Sequence, residues 1–389
     1  MKSNELEKMN ISDASKKQYL PINDPKINNK KKSYKLIFTI IIISIISIFI
    51  GFSIIKKNVN KEIKPTLSRK SMDNKIDEKN FLTKLKLILD EDEILLNEMM
   101  SKHTTFKLGG PAKYFIIPKS IDKIIKVIQL CNEYSIEYFI LGNGSNLLVS
   151  DKGFNGLVIN IHENNFSNFK VEKEDGKNYK VTVGGGMLMR TLAQKLCILS
   201  LSGLEDIIDI PGTIGGGIIM NASAGGKGLI SDSLDKVKVI TPEGKIIELS
   251  KSECKLKRRN SLLKKKKYLI IEAVFKLTKD DKLIIQKTMA DHTAKRYSRQ
   301  PMYFPSAGSF FVWNKKKNGS LFEKYKENNL VGYKIGDAMI YIHNIAFIVN
   351  LGNAKASDVF KICIHVQKVI KSKYNIKINP EVIFLGSFD

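Results

Sequence analysis

Paired cysteines, zinc-finger spacings and the two commonest phosphate-binding signatures are all missing from this sequence of 389 residues. Its four cysteines, Cys131, Cys197, Cys254 and Cys363, are far apart and form no CxxC pair, which argues against a zinc site and against a disulfide framework. Each falls in or beside an apolar stretch, the pattern of buried free thiols in a reducing compartment. Acidic residues are scarce: 39 Asp and Glu face 64 Lys and Arg, for a formal net charge of +25. That imbalance favours anionic partners such as nucleic acid, anionic lipid or an anionic substrate. No aromatic-rich RNA-recognition signature accompanies it. The lysines are spread along the chain, as in Lys264 to Lys267 and Lys315 to Lys317, so no specific nucleic-acid partner is expected. The single tryptophan, Trp313, reads as packing or pocket lining. His343, one of five histidines, reads as structural, beside an apolar strand. There is no internal repeat, and an apolar fraction of 43% excludes wholesale disorder.

What is present begins with a basic, Asn-rich stretch over 1–35, expected to be a disordered tail. Leu36 to Ile55 follows without a charge, bounded by Lys35, Lys56 and Lys57. At ~1.5 Å per helical residue this run suffices for the ~30 Å hydrocarbon core of a bilayer. It is expected to be a transmembrane or targeting segment, preferably an uncleaved anchor, because a cleaved signal would carry an unusually long leader. Lysines at both ends leave its orientation open. Residues 56–90 read as a charged linker, 91–280 as a cofactor-binding domain of two subdomains, and 281–389 as a C-terminal domain. Apolar residues at Ile121, Ile124, Ile125, Ile128 and Cys131 predict a helix over Ser120 to Ser135, and further helices are predicted over Leu188 to Leu199, Leu283 to Arg296 and Lys355 to Tyr374. Short apolar runs predict strands at Ala112 to Pro118, Tyr138 to Leu141, Leu147 to Val149, Leu157 to Ile161, Tyr179 to Val183, Tyr268 to Leu277, Ser309 to Trp313, Ala346 to Asn350 and Val382 to Leu385. A hairpin over Val237 to Leu249 turns at Pro242-Glu243-Gly244. The fold class is α+β with many short strands.

Three segments carry more glycine than ordinary packing needs: Gly142-Asn143-Gly144-Ser145-Asn146; Gly184-Gly185-Gly186; and Pro211-Gly212-Thr213-Ile214-Gly215-Gly216-Gly217, followed by Met220-Asn221-Ala222. Glycine lets backbone approach a ligand closely, and successive N–H groups form an anion-binding concavity suited to a diphosphate. None of the three has the Lys-Ser/Thr ending of a P-loop or the GxGxxG spacing of a Rossmann turn. A phosphate-containing cofactor held by loops is therefore expected, with tight turns between strands as the purely structural alternative.

These clusters, in their order, resemble those of the UDP-N-acetylenolpyruvoylglucosamine reductase (MurB) family. GNGSNLL over 142–148, followed by Asp151, Gly153 and Gly156, is similar to the family's first FAD signature. His103-Thr104-Thr105-Phe106-Lys107-Leu108-Gly109-Gly110 resembles its entry motif, and Gly203-Leu204-Glu205 leading to IPGTIGG and Met220-Asn221-Ala222 its second FAD signature. The resemblance runs from His103 to Gly386. It implies two α+β subdomains of the PCMH, or vanillyl-alcohol-oxidase, type clasping FAD, with a C-terminal domain over the substrate. The missing insert between Tyr268 and Ser309 points to the shorter class. FAD contacts are implied at Gly142, Asn143, Gly144, Ser145, Asn146, Pro211, Gly212, Thr213, Gly215, Gly216 and Asn221. Catalytic roles are implied for Arg259 in Arg258-Arg259-Asn260-Ser261, Ser309 in Ala307-Gly308-Ser309-Phe310, and Glu381 in Asn379-Pro380-Glu381-Val382. No metal is implied. The pattern departs at Arg258, where the family has tyrosine, at Ser223, where it prefers glycine and where backbone strain is expected, and at Tyr341 to Asn344, where a Val-Ser-x-x-His segment is altered.

The implied reaction is NADPH-dependent reduction of UDP-N-acetylglucosamine enolpyruvate to UDP-N-acetylmuramate, in peptidoglycan precursor synthesis. Its chemistry asks for these residue types: a guanidinium against the carboxylate that gathers charge, and a hydroxyl to protonate the neighbouring carbon. A carboxyl group at Glu381 donates if its pKa is raised, or orients the bound groups; the sequence leaves both open. A monomer is expected, with its catalytic portion in the cytoplasm and anchored through residues 36–55, or directed to an organelle in a eukaryotic host. Two other readings stay open: an FAD-dependent oxidase or dehydrogenase of the wider superfamily, and a degenerate, membrane-tethered interaction protein.

Overall fold

The computed structural model describes residues 77–162, 165–223 and 228–388. The tail expected over 1–35, the apolar segment Leu36 to Ile55 and the linker up to residue 76 lie outside the described residues. Among the described residues, no helix is long and apolar enough to cross a membrane.

The end of the expected linker is in fact folded. A helix (α1) covers 77–88, and Phe81 and Leu85 are fully buried at i, i+4 spacing, with Leu89 completing the stripe. Phe81 lies against the rings of Tyr114 and Tyr134, at centroid distances of 5.1 and 5.7 Å. The chain continues through β1 (Ile94–Met99), β2 (Pro111–Ile116), α2 (Ile121–Glu133), β3 (Tyr138–Leu141), β4 (Leu147–Val149) and β5 (Phe154–Asn160). The first sheet has the order β1-β2-β5-β3, with β2 and β3 parallel to β5. Ser120 caps α2 by accepting from the Lys123 N–H at 3.3 Å, and Ile124, Val127, Ile128 and Cys131 form its buried face.

The second subdomain comprises β6 (Phe169–Asp175), β7 (Asn178–Gly184), α3 (Met189–Ile198), β8 (Leu201–Ser202), α4 (Ile214–Ile219), β9 (Leu234–Ile240), β10 (Ile246–Ser250), α5 (Leu262–Lys265), β11 (Leu269–Lys279) and α6 (Lys282–Tyr297). Its antiparallel sheet runs β10-β9-β11-β7-β6, with β8 added beside β11. Strand β11 is central, which explains its near-continuous apolar run from Leu269 to Phe275. Helix α6 docks on this subdomain. Thr293 Oγ1 donates to Asp209, and His292 Nε2 lies 2.6 Å from Asp206 Oδ1. Helix α6, at the start of the expected C-terminal domain, thus packs on the second subdomain.

The remaining elements are β12 (Ser306–Ser309), β13 (Phe311–Val312), α7 (Lys315–Asn318), α8 (Leu321–Glu327), β14 (Lys334–Ile335), β15 (Ala338–Ile340), β16 (Phe347–Asn350), α9 (Ala356–Tyr374), β17 (Asn379–Pro380) and β18 (Ile383–Leu385). Helix α9 buries Val359, Ile362, Cys363, Val366 and Ile370 in the core beneath the sheet β12-β16-β15-β14. The strand expected over Ser309 to Trp313 is broken at Phe310. Its side chain is buried, β12 joins the four-stranded sheet, and β13 pairs with β17 instead. Two devices tie this portion to the first subdomain. Strand β18 pairs in parallel with β4, and the Asp151 carboxylate accepts from the Ala356 and Ser357 N–H groups (2.7 and 2.9 Å), capping α9 from a distance. All four cysteines are free and buried; burial pushes the thiols of Cys131 and Cys363 up to about 12 and that of Cys254 up to about 11.

Candidate active site

The three glycine segments meet. A Cβ on Gly142 would lie 2.5 Å from Thr213 Oγ1, and one on Gly212 would lie 3.4 Å from Ser145 Oγ, so the first and third segments face each other at backbone distance. The Gly215 N–H donates to Gly185 O at 2.8 Å, which docks the third segment on the second. Between Asn143 and Asn146 four successive N–H groups have no acceptor among the described residues. Gly142, Asn143, Ser145 and Asn146 are half-buried, while Pro211 and Gly216 are exposed. A partly open row of unpartnered amides lined by glycine fits the diphosphate of a dinucleotide, and these residues can hold FAD.

Part of the third segment is helical rather than loop. Helix α4 starts at Ile214, and Thr213, itself buried, accepts from the Gly216 N–H at 3.3 Å. Asn221 stands just past the end of α4 with φ 42°, buried, its Oδ1 accepting from the Ser231 N–H. Ser223 has no positive φ, whereas Asn221 does. Asparagine tolerates this region better than most residues, so the departure at Ser223 brings no strain of the kind expected.

Two of the predicted catalytic residues, Arg259 and Glu381, come together beside this cradle, and Ser309 lies next to the residue bonded to the Glu381 backbone. Lys257 and Asn260 exchange backbone hydrogen bonds of 2.8 and 3.0 Å, closing a tight turn with Arg258 and Arg259 at its tip. Arg259 adopts φ 59°, a left-handed conformation that costs a non-glycine residue about 1–2 kcal/mol. Buried Ser261 holds the turn by donating to Ile219 O at 2.8 Å and accepting from the Lys264 N–H at 3.0 Å. The result places Arg259 Nε 2.6 Å from Glu381 Oε1. The contact is an ion pair without hydrogen-bond alignment, since Nε is buried and makes no hydrogen bond. Burial holds the Glu381 carboxyl above its ordinary range, against the opposing fields of Arg259, Arg258 and Lys264.

Ser309 ends β12, half-buried, after Gly308 with φ 79°. The carbonyl of the next residue, Phe310, accepts the Glu381 N–H at 2.8 Å, so Glu381 is bonded to the residue that follows Ser309. The Glu381 carbonyl accepts from Asn146 Nδ2 at 3.3 Å, which joins the Gly142–Asn146 loop to the segment of Glu381. Thr105 was not among the expected site residues, although it lies in the entry motif. Its N–H donates to Gly144 O at 3.2 Å and its Oγ1 to Ser306 O at 2.8 Å, bridging the cradle to the strand of Ser309. Trp313 packs against the C-terminal core and donates to Gly319 O. His343 is exposed in a turn, edge-on to Tyr341, and Asn344 Nδ2 donates to Arg299 O at 2.8 Å.

Fold and site together define a class: an α+β protein with paired glycine loops suited to a dinucleotide, and a cluster of Arg, Glu and Ser residues where its C-terminal portion meets them. Comparison with known proteins narrows it. Residues 112–250 match the FAD binding domain family, and 300–385 match the UDP-N-acetylenolpyruvoylglucosamine reductase C-terminal domain family. The chain is 38% identical over 306 residues to the UDP-N-acetylenolpyruvoylglucosamine reductase of Lachnoclostridium phytofermentans, covering 78% of this chain and 97% of that one. It is 40% identical over 304 residues to that of Clostridium novyi, covering 78% and 95%. The crystal structure of the Thermus caldophilus enzyme superposes with a TM-score of 0.61 at 27% identity, covering 75% of this chain and all of that one. The chain belongs to the UDP-N-acetylenolpyruvoylglucosamine reductase family.

Proposed function

We propose that this chain reduces UDP-N-acetylglucosamine enolpyruvate to UDP-N-acetylmuramate with NADPH, using Arg259, Ser309 and Glu381. The observation that supports it most is the Arg259–Glu381 ion pair, 2.6 Å long, set against the amide loop through Asn146. When bound, FAD supplies the hydride relay between NADPH and the vinyl ether. Gly142 to Asn146 and Pro211 to Gly216, with Asn221 supporting the loop behind them, would hold it.

The protein's own groups handle charge and protons. The Arg259 guanidinium meets the pyruvyl carboxylate and stabilises the enediolate that forms there, in a half-buried site where such an interaction is worth more than in water. Ser309 Oγ delivers a proton to the adjacent carbon. A hydroxyl is a weak acid, so this step depends on the strong basicity of that carbon and on close placement. Glu381, whose carboxyl burial holds above its ordinary range beside Arg259, lies where it can orient the same carboxylate or hydrogen-bond to it. The portion after α6 covers the substrate. The apolar stretch Leu36 to Ile55 serves as a membrane anchor that leaves the catalytic portion, a monomer, in the cytoplasm with its nucleotide substrates.

The test is anaerobic. NADPH should bleach the flavin absorbance, and the enolpyruvyl sugar should restore it with one equivalent of product. Failure of the sugar to restore it, while another acceptor succeeds, overturns the reading. Fractionation of cells expressing the full chain, with and without residues 36–55, tests the anchor.

A further inference from the structure

Asp209 stands just ahead of the Pro211-Gly212-Thr213 stretch, and its side chain is only 6% exposed. Both of its carboxylate oxygens are used, each by a different helix. Arg190, in the first turn of α3, donates to Oδ1, and Thr293 Oγ1, on α6, donates to Oδ2. Arg296 follows one turn further along α6, on the same face as Thr293. Its Nε is buried without a hydrogen bond, and burial holds its guanidinium below the ordinary range; Asp209 counters that fall and Arg190 adds to it. The backbone repeats the grip. Gly212 O accepts from the Met189 N–H at 2.9 Å, and a Cβ on Gly212 would lie 2.9 Å from Met189 Cε. Consecutive residues of α3 thus hold the stretch at two points, Met189 at Gly212 and Arg190 at Asp209. Ser145 and Gly142, from the first glycine segment, lie against Gly212 and Thr213.

Glycines bring no side chains to anchor themselves, so the geometry of such a segment is set by the residues that flank it. We propose that Asp209 is a positioning residue for FAD: by joining α3 to α6 it fixes Pro211 to Thr213 at the spacing from Gly142 to Ser145 that admits the diphosphate. This rests on the flavin cradle proposed above. Loss of the charge at Asp209 removes two charge-assisted contacts and also the carboxylate that supports Arg296 beside Arg190. Asp206 supplies a control within the same structure. It meets the same helix, through His292 Nε2 at 2.6 Å, but stands three residues further from the glycine segment. The two carboxylates tie α6 to one stretch of chain, and only Asp209 adjoins the cradle.

The full chain is stripped of flavin, and FAD is titrated back while its fluorescence is followed. Thermal melts of the flavin-free protein are recorded alongside. Asp209→Asn should raise the Kd for FAD about ten- to a hundredfold, the scale of lost charge-assisted hydrogen bonds. Thr293→Val should raise it about three- to tenfold, the scale of one hydrogen bond. Adding Thr293→Val to Asp209→Asn should cost little more, because both act through one carboxylate. Asp206→Asn should lower the melting temperature and leave the Kd for FAD unchanged. A purely packing role for Asp209 has a different signature: both Asn variants weaken FAD alike, in step with their melting temperatures, and that result overturns the proposal. So does wild-type FAD affinity in Asp209→Asn. If Asp209→Asn fails to fold, Thr293→Val set against Asp206→Asn carries the same comparison. Gly142→Ala in the same titration separates the proposal from the reading beneath it. Weakening there without weakening in Asp209→Asn fails the positioning role alone; wild-type affinity in both fails the cradle as well.

Discussion

Between Gly142 and Thr213 the protein has removed side chains; between Arg259 and Glu381 it has gathered them. The cradle works through backbone amides, so its requirement is space: a Cβ at Gly142 meets Thr213 Oγ1 at 2.5 Å, and one at Gly144 meets His103 O at 2.1 Å. The proposed acid–base pocket would work through charge, so its requirement is burial and convergence. Its parts come from a strained turn, a strand end and the segment joining β17 to β18. One region should therefore fail by losing cofactor, and the other by losing chemistry with cofactor retained.

The sharpest way to separate them is Ser309→Ala, which should lower turnover by about 10²–10⁴, the range of a lost general acid, while bleaching by NADPH stays intact. Stopped-flow measurement of the two half-reactions checks it; a slowed first half-reaction would break the distinction. Arg259→Ala should follow at about 10²–10³ in the second half-reaction, the scale of a lost charge-stabilising donor, with the visible spectrum unchanged. Gly142→Ala should do the reverse. Flavin affinity should fall about tenfold, the equivalent of ~1.4 kcal/mol, with far-ultraviolet circular dichroism preserved. Retained flavin in that variant would show that the loop gives way more easily than its contacts imply.

Smaller effects sharpen the same contrast. A carboxyl group raised in the folded state favours folding fully below its unfolded pKa, and that contribution is lost as pH rises through the folded value. Thermal melts of the wild type should therefore lose stability across that window at Glu381, and Glu381→Gln should show a flatter profile there. Its activity should fall as well, without loss of flavin colour. Smallest of all, the native thiols should react slowly with a disulfide reagent at pH 8, because Cys131, Cys254 and Cys363 are held protonated by burial. All four should react on denaturation.

Much of the fold was legible where one periodicity dominates. The helix at Ile121–Glu133 and the strands at Tyr138–Leu141 and Leu147–Val149 lie where their apolar spacing places them. The helix over 77–88 was hidden because Phe81, Leu85 and Leu89 form a narrow stripe in a run of Lys, Asp and Glu that reads as linker. Strand β6 escaped because it is the edge of its sheet, and its FKVEKED sequence is mostly exposed. Helix α4 escaped because glycine has a poor helix propensity; packing against Gly185 and the Thr213 cap overrides it.

Composition and local pattern alone determined the α+β class, the buried free thiols and the glycine loops, because helix and strand periods and glycine's missing side chain are local properties. Motif order alone pointed to the family. Tertiary structure alone decided that Arg259 is not one more solvated charge in a basic run, since it pairs with Glu381, and that Asp151 caps α9. Charge becomes chemistry only through burial and the distance to a partner, and both are set by segments remote in the chain.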